Sequence, residues 1–139
     1  MSNTEKDQAL QAKGKILLVD DDKFLLDMYC TKFTQGGFTA HGALSVKAAL
    51  ETIRGGFEPD AVVFDLVMPE ETGFSLLEHL RDQKIAPNAV KIALTNQDDA
   101  EEKRRAENLG ADAYLVKATM IPSEVVNRVG EEIQRHHAA

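Results

Sequence analysis

Short apolar runs alternate with helix-like segments five times along this sequence, and this alternation limits the folds that the chain can adopt. Most of the runs consist of β-branched residues and leucines, which is typical of strands buried on both faces of a sheet. The predicted strands span residues 16–19, 38–41, 61–64, 90–94 and 113–116. Strands and helices in regular alternation predict an α/β fold with a parallel sheet.

A helix is predicted after each strand, because apolar residues recur there at helical spacing between start and stop signals. The predicted starts, in order, are Asp21 or Asp22, Ser45, Thr72, Asp98 and Pro122. The fourth helix is expected to end at Leu109, directly before Gly110. Five helices joined to the strands by short connections would cover both faces of the sheet.

The length of 139 residues suits one domain. We assign residues 1–14 to a polar N-terminal tail, 15–136 to the domain and 137–139 to a C-terminal tail. A net charge of −7 argues against direct binding of nucleic acid, which requires basic clusters. No apolar stretch has the length of a membrane span. Because no apolar run precedes residue 16, we expect no secretory signal. A lone cysteine, Cys30, excludes an internal disulfide and fits a cytoplasmic protein.

Polar residues follow the predicted strands at the carboxyl edge of the sheet, where ligands of open parallel sheets bind. They are Asp20, Asp21 and Asp22 after the first strand, Asp65 after the third, Thr95 after the fourth and Lys117 after the fifth. Taken alone, each is more often a helix cap, a turn residue or a surface lysine, and Asp22 is expected to be a cap. Their joint placement at adjacent strand ends favours a common site.

The chemistry of this set points to phosphoryl transfer assisted by a cation. Clustered carboxylates repel one another unless a cation joins them or one takes up a proton. Oxygen donors favour Mg²⁺ over Zn²⁺. An aspartate beside such an ion is a candidate nucleophile toward phosphorus, and Lys117 and Thr95 are candidate partners for the phosphoryl oxygens.

Several segments match one known family in order and spacing. They are Lys15–Asp22, Val63–Pro69 followed by Gly73, Ile92–Thr95, Gly110–Tyr114 and Leu115–Lys117. On these segments the chain resembles bacterial response-regulator receiver domains of two-component signalling, of the chemotaxis-regulator type, from about Lys15 to Arg135. The resemblance implies a doubly wound five-stranded sheet in the order 2-1-3-4-5.

The resemblance also implies roles for individual residues. Asp65 would be the phospho-acceptor, and Lys117 would contact the phosphoryl group. Mg²⁺, or Mn²⁺ in its place, would be held by Asp20, Asp21, Asp65 and the backbone carbonyl of Val67. Thr95 and Tyr114 would form a switch pair, in which the hydroxyl turns toward the phosphoryl group and the ring moves inward behind it.

The implied partners are proteins. A histidine kinase or a histidine-phosphotransfer protein would donate the phosphoryl group. An output protein would bind the face formed by the fourth helix, fifth strand and fifth helix, which is also a candidate for homodimer formation. The chain would be a phospho-acceptor that assists its own phosphorylation and dephosphorylation, and not a turnover enzyme.

Four positions depart from the pattern or tune it in this family. Lys117 is followed by Ala118 where proline is usual, so we expect either a trans peptide or a strained cis peptide, since a cis bond before a non-proline residue costs about 2.5–4 kcal/mol. Asn96 stands where a smaller residue is usual, and would crowd Asp65 or bond a phosphoryl oxygen. Val67 and Gln97 occupy positions that tune self-dephosphorylation, and the apolar Val67 predicts a long-lived phosphoryl group.

Other functions stay open at this point. The chain would be either a complete single-domain regulator or a fragment of a longer one. A degenerate receiver that binds a partner without phosphorylation is one alternative. An aspartate-nucleophile phosphatase of the haloacid-dehalogenase type is a weaker one, because Lys23 and Phe24 follow the acids where that family shows Thr or Val.

Overall fold

One parallel sheet of five strands forms the centre of the molecule. The computed structural model describes residues 13–138. The strands are β1 (Lys15–Val19), β2 (Thr39–Ala43), β3 (Ala61–Phe64), β4 (Val90–Thr95) and β5 (Ala113–Val116). They pair in the order β2-β1-β3-β4-β5, as the resemblance implied. The doubly wound fold is therefore confirmed.

Five α-helices connect and follow the strands. They are α1 (Lys23–Gln35), α2 (Val46–Arg54), α3 (Gly73–Asp82), α4 (Ala100–Asn108) and α5 (Pro122–Ala138), and a single 3₁₀ turn (Lys117–Thr119) follows β5. The helix α5 continues two residues past the domain boundary placed at 136. Of the tail predicted for residues 1–14, only Lys13 and Gly14 belong to the described residues. The Gly14 carbonyl accepts a hydrogen bond from the Thr39 amide.

The predicted cap residues begin the first three helices. The carboxylate of Asp22 accepts from the Leu25 amide at 3.1 Å, and the hydroxyls of Ser45 and Thr72 make the equivalent bonds to α2 and α3. The fourth helix starts later than expected. Asp99, and not Asp98, is its cap, because one carboxylate oxygen of Asp99 accepts from the amides of both Glu101 and Glu102.

The second strand was placed two residues short at its carboxyl end. It was expected at 38–41, but its pairing with β1 runs from Thr39 opposite Lys15 to Ala43 opposite Val19. Polar and small residues fill this edge strand, so its sequence carries little hydrophobic signal. Pairing with β1 determines its ends.

Two apolar cores lie on opposite faces of the sheet. Leu17, Val19 and Phe64 point to one face, where they pack with buried residues of α2, α3 and α4. Ile16, Leu18 and Val63 point to the other face, which α1 and α5 cover. Burial on both faces explains the continuous apolar sequence of β1 and β3. Within residues 13–138 no helix combines the length and apolar character needed to cross a membrane.

Candidate functional site

Three aspartates meet where β1 and β3 end. These strands lie side by side with Val19 opposite Phe64, so the residues that follow them, Asp20 and Asp65, are neighbours. The Asp65 amide donates to the Val19 carbonyl at 3.0 Å, which continues the sheet by one bond. One carboxylate oxygen from each of Asp20, Asp21 and Asp65 lies within 4.8 Å of the others. The predicted convergence of these acids is present.

Lys117 joins this cluster from the end of β5, which lies two strands away from β3. Its Nζ atom lies 2.6 Å from Oδ2 of Asp20 and 3.2 Å from Oδ2 of Asp65. The lysine side chain is only 8% exposed, so both ion pairs are screened little by water. Asp21, in contrast, is exposed and faces the solvent side of the cluster.

Backbone amides fix the other oxygens of the two buried carboxylates. Oδ1 of Asp20 accepts from the Asp22 amide at 2.9 Å, and Oδ1 of Asp65 accepts from the Val67 amide at 3.2 Å. Each carboxylate thus has one oxygen on a backbone donor and one on Lys117. This arrangement restrains both side chains before any ligand binds.

Burial and charge act against each other at Asp65. Burial raises the pKa of its carboxyl above the usual value, and the nearby Asp20 adds to the rise, whereas Lys117 and the Val67 amide lower it. For Lys117, burial is the largest single influence and lowers the pKa, but the combined attraction of Asp20 and Asp65 outweighs it and the net pKa is raised. The lysine therefore remains an ammonium ion at neutral pH.

The donor set fits a hard divalent cation. Lys117 supplies one positive charge against three carboxylates, so the ionised cluster keeps an excess of negative charge. Carboxylate oxygens are the ligands that Mg²⁺ and Mn²⁺ accept. Val67 was expected to add its backbone carbonyl. Its amide is bonded to Asp65 and its side chain is 66% exposed, while the role of the carbonyl stays a prediction.

Thr95 and Tyr114 lie on the two strands next to the acids. Thr95 ends β4, opposite Val116 of β5, and is fully buried. Tyr114 is half-buried, and its hydroxyl donates to the Gln97 carbonyl at 2.7 Å and accepts from the Asp99 amide at 3.2 Å. Tyr114 is thus fastened to the loop that follows Thr95. The predicted coupling of the two residues is not tested by this arrangement.

The departures from the family pattern lie at the rim of the site. Asn96, Gln97 and Ala118 are exposed. The Lys117–Ala118 peptide is trans, which is the first of the two outcomes that the sequence allowed. Lys117 still reaches both carboxylates, and the 3₁₀ turn that begins at this residue carries the chain away from the sheet.

Two residues of the site were given no role from sequence. Gly73 begins α3, and a Cβ atom at this position would collide with the Asp65 carbonyl oxygen and lie 2.9 Å from the Phe64 ring. Tyr29 of α1 is buried and, with Asp20 and Asp65, lines a cavity of about 10 Å³, about the size of one water. A glycine in the first turn of a helix was a usable signal, whereas Tyr29 was indistinguishable from a core residue.

Comparison with known proteins agrees with this geometry. The family model described as "Response regulator receiver domain" matches residues 16–129. The phosphate regulon transcriptional regulatory protein PhoB of Escherichia coli is 26% identical over 87% of this chain, and the regulatory protein VanR of Enterococcus faecium is 30% identical over 88%. These matches cover 52% and 51% of the two proteins, so this chain spans about half the length of these relatives.

A solved structure of similar size shares the fold. The chemotaxis protein CheY4 of Vibrio cholerae superposes with a TM-score of 0.80 at 25% identity, over 87% of this chain and 99% of that one. The family match covers most of the described residues and includes all five strands except the first residue of β1. The chain therefore belongs to the response regulator receiver domain family.

Proposed function

We propose that this chain is a phosphorylation switch in which Asp65 accepts a phosphoryl group. Receiver domains of two-component systems bind Mg²⁺ at an acidic cluster and are generally phospho-acceptors, not turnover enzymes, and Asp20, Asp21 and Asp65 form such a cluster. The observation that carries the proposal is the position of Lys117, whose ammonium lies between the carboxylates of Asp20 and Asp65. This places one positive charge beside the oxygen that would react.

The proposed reaction transfers phosphorus from nitrogen to oxygen. A carboxylate oxygen of Asp65 attacks the phosphorus of a phosphohistidine on a histidine kinase or a phosphotransfer protein. An O–P bond forms and the N–P bond breaks. The electron pair stays on the imidazole nitrogen, which takes a proton from solvent. Lys117 pairs with one phosphoryl oxygen and the Thr95 hydroxyl donates to another, so that charge developing on the group is neutralised.

A divalent cation would be held by Asp20, Asp21, Asp65 and the Val67 carbonyl. When bound, Mg²⁺ or Mn²⁺ supplies the positive charge that three carboxylates and a phosphoryl group require. Asp20 and Asp65 are buried and oriented by backbone amides, whereas Asp21 is open to solvent. The exposed side gives the cation and the donor protein a route to the site.

The proposed output depends on Thr95 and Tyr114. If the Thr95 hydroxyl turns to the phosphoryl group, the loop after β4 shifts with it. That loop carries the Gln97 carbonyl and the Asp99 amide that hold the Tyr114 hydroxyl. A change in this loop would therefore alter the face formed by α4, β5 and α5, where we place the output partner and a candidate homodimer contact. Both states must differ in affinity for the partner.

Exposed apolar side chains support a protein as the phosphoryl donor. Among the described residues, the large apolar side chains that are exposed are Phe24, Leu44, Val67 and Ile121. All four lie in segments that follow a strand, at the same edge of the sheet as the acid cluster. An apolar rim around a charged centre suits a protein interface better than a site for a small ester. We place the donor here and the protein in the cytoplasm.

The phosphoryl lifetime follows from the rim residues. Val67 is apolar and exposed, and it offers no group that orients an attacking water. Asn96 and Gln97 are also exposed at the rim of the site. We expect the aspartyl phosphate to decay slowly, and rapid loss of the phosphoryl group after donor removal would contradict this.

Binding of beryllofluoride with Mg²⁺ tests the proposal. Chemical shifts of the backbone amides are followed by NMR for the native chain, for Asp65→Asn and for the control Asp27→Asn on the exposed side of α1. The proposal expects saturable Mg²⁺-dependent shifts around Asp65, Thr95 and Tyr114 in the native chain and the control, but not in Asp65→Asn. Shifts that persist in Asp65→Asn would show that beryllofluoride binds at another position. Their absence from the native chain would favour a degenerate receiver.

A further inference from the structure

A row of polar side chains connects the loop after Asp65 with the far end of α3. Glu71, Ser75, His79 and Gln83 follow at intervals of four residues and thus share one face of the helix. Oε2 of Glu71 accepts from the Ser75 hydroxyl at 2.6 Å and lies 2.9 Å from Nε2 of His79. Nδ1 of His79 lies 3.0 Å from Nε2 of Gln83.

Arg54 of α2 completes the row. Its contact with Gln83 determines which ring nitrogen of His79 carries the proton. A guanidinium only donates, so Oε1 of Gln83 is the atom that faces Arg54. The amide nitrogen of Gln83 then donates to Nδ1 of His79, which must carry no proton. Glu71 only accepts, so Nε2 of His79 carries the proton and donates to it. The contacts therefore select the neutral Nε2–H tautomer of His79.

Glu71, which accepts the bonds from Ser75 and His79, lies in a strained part of the loop that follows Asp65. Its amide donates to the Pro69 carbonyl at 2.8 Å, which closes a three-residue γ-turn with Glu70 at its centre. Glu70 has φ of 68°, a conformation that L-residues adopt rarely. Such a turn persists only where surrounding contacts hold it. The bonds from Ser75 and His79 are contacts of this kind, and they also hold the pKa of the Glu71 carboxyl below its usual value.

We propose that Glu71 and His79 are positioning residues for the acid cluster. By holding the γ-turn, they fix the short segment between Asp65 and Gly73, which contains the Val67 amide bonded to Asp65. The same segment contains the Val67 carbonyl proposed as a cation ligand. The row from Arg54 to Glu71 thus links the outer surface of α2 and α3 to the geometry of the site. The effect on cation binding rests on the proposed function, whereas the effect on the loop does not.

The first test determines the tautomer of His79 without added cation. In ¹⁵N NMR of the histidine ring at a pH where it is neutral, we expect a protonated Nε2 and an unprotonated Nδ1. In Gln83→Glu the new carboxylate only accepts, so Nδ1 should also gain a proton, while the control Gln134→Glu on α5 should leave the ring unchanged. A native Nδ1–H tautomer, or no response to Gln83→Glu, would overturn the inference.

The second test measures Mg²⁺ affinity by the amide shifts of Asp65 and Val67. His79→Leu should shift the amides of Val67, Met68, Glu70 and Glu71 before cation is added. It should also weaken Mg²⁺ binding about 3- to 10-fold, at or below the lower end of the effect of losing a direct partner of a metal ligand. His79→Gln should restore most of the affinity, because its amide offers a donor close to the position of Nε2. The control His136→Leu, exposed on α5, should match the native chain.

The outcomes separate the two claims. Native Mg²⁺ affinity in His79→Leu would overturn the positioning role and leave the proposed function intact. A native chain that binds no Mg²⁺ would overturn the proposed function. The metal-free amide shifts of Val67, Met68, Glu70 and Glu71 in His79→Leu would then decide the positioning role alone. Unchanged shifts there would overturn it.

Discussion

At the scale of single residues, the surroundings of the Asp65 carboxyl group disfavour its ionised form. Burial raises its pKa in the folded chain above the value of the unfolded chain. The folded state therefore binds a proton more tightly than the unfolded state does. The resulting stabilisation is present at low pH and is lost as pH rises through the raised pKa.

Asp65→Asn should remove this loss of folding stability with rising pH, because asparagine does not titrate. We expect the variant to gain stability over the native chain as pH rises above the unfolded-state value near 3.8, with the two chains closest at lower pH. Urea denaturation across that range, with a chelator to exclude divalent cations, measures the difference. A difference that stays constant with pH, or that shrinks as pH rises, would contradict the assignment of a raised pKa to Asp65.

Gly73 controls how closely α3 approaches Asp65. Gly73→Ala should destabilise the fold by about 1–3 kcal/mol, the usual effect of overpacking, because the added Cβ would overlap the Asp65 carbonyl oxygen. It should also weaken Mg²⁺ binding. The control is Gly130→Ala in α5, where the added Cβ would meet only the end of the Phe38 ring at 3.3 Å. Denaturant unfolding should place the control within about 1 kcal/mol of the native chain.

At the scale of the elements, Tyr114 ties β5 to the start of α4. Tyr114→Phe removes the hydroxyl that accepts a hydrogen bond from the Asp99 amide. One such hydrogen bond contributes about 0.5–1.5 kcal/mol to stability. We expect hydrogen exchange at the Asp99 amide to accelerate roughly 2- to 12-fold, as that free energy implies. The amide of Glu101, which is bonded to the Asp99 carboxylate, serves as the internal reference. Equal protection of Asp99 in both chains would show that the hydroxyl does not hold the loop.

The elements also show what a single sequence discloses. Strands buried on both faces, such as β1 and β3, were predictable because their apolar runs reflect two packed faces. The caps at Asp22, Ser45 and Thr72 were predictable because each acts on its own helix. The edge strand β2 was misplaced since its ends depend on pairing with β1. Local signals identify local structure, and tertiary pairing sets the rest.

The residues of the site also fall into a part that was predictable from sequence and a part that was not. The acids Asp20, Asp21 and Asp65 and the lysine Lys117 were recognisable because strand topology brings the residues after adjacent strands together. The bonds from Ser75 and His79 to Glu71 were not recognised, although the four-residue spacing was visible. Polar residues at that spacing are common on solvated helix faces, and only the turn at Glu70 brings Glu71 into the row.

At the scale of the whole molecule, excess negative charge at the sheet edge links stability to cation binding. A ligand that binds only the folded state stabilises it by mass action, by about 2.7 kcal/mol at a concentration one hundred times Kd. We therefore expect Tm to rise with Mg²⁺ concentration. Asp21→Asn should reduce the rise, because it removes the solvent-facing carboxylate of the cluster, while Asp27→Asn should retain it. A Tm unaffected by millimolar Mg²⁺ would argue against a cation site.

The similar proteins PhoB and VanR are longer than this chain. This chain spans about half of PhoB and VanR, and the receiver family interacts with histidine kinases and output domains. The faces used here, around the acid cluster for the donor and at α4, β5 and α5 for the output, remain our proposals. The Tyr114 hydroxyl of β5 is bonded to the loop that joins Thr95 to Asp99, so a change at Thr95 would have a physical route to the proposed output face.

Locating the phosphoryl group tests the central claim most directly. The native chain and Asp65→Asn are incubated with acetyl phosphate, with and without Mg²⁺, and the modified residue is identified by mass spectrometry of peptides. The account predicts a single phosphoryl group on Asp65 that requires Mg²⁺, is released by hydroxylamine as an acyl phosphate is, and is absent from Asp65→Asn. Equal labelling of Asp65→Asn, or a native chain that stays unlabelled in the presence of Mg²⁺, would contradict it.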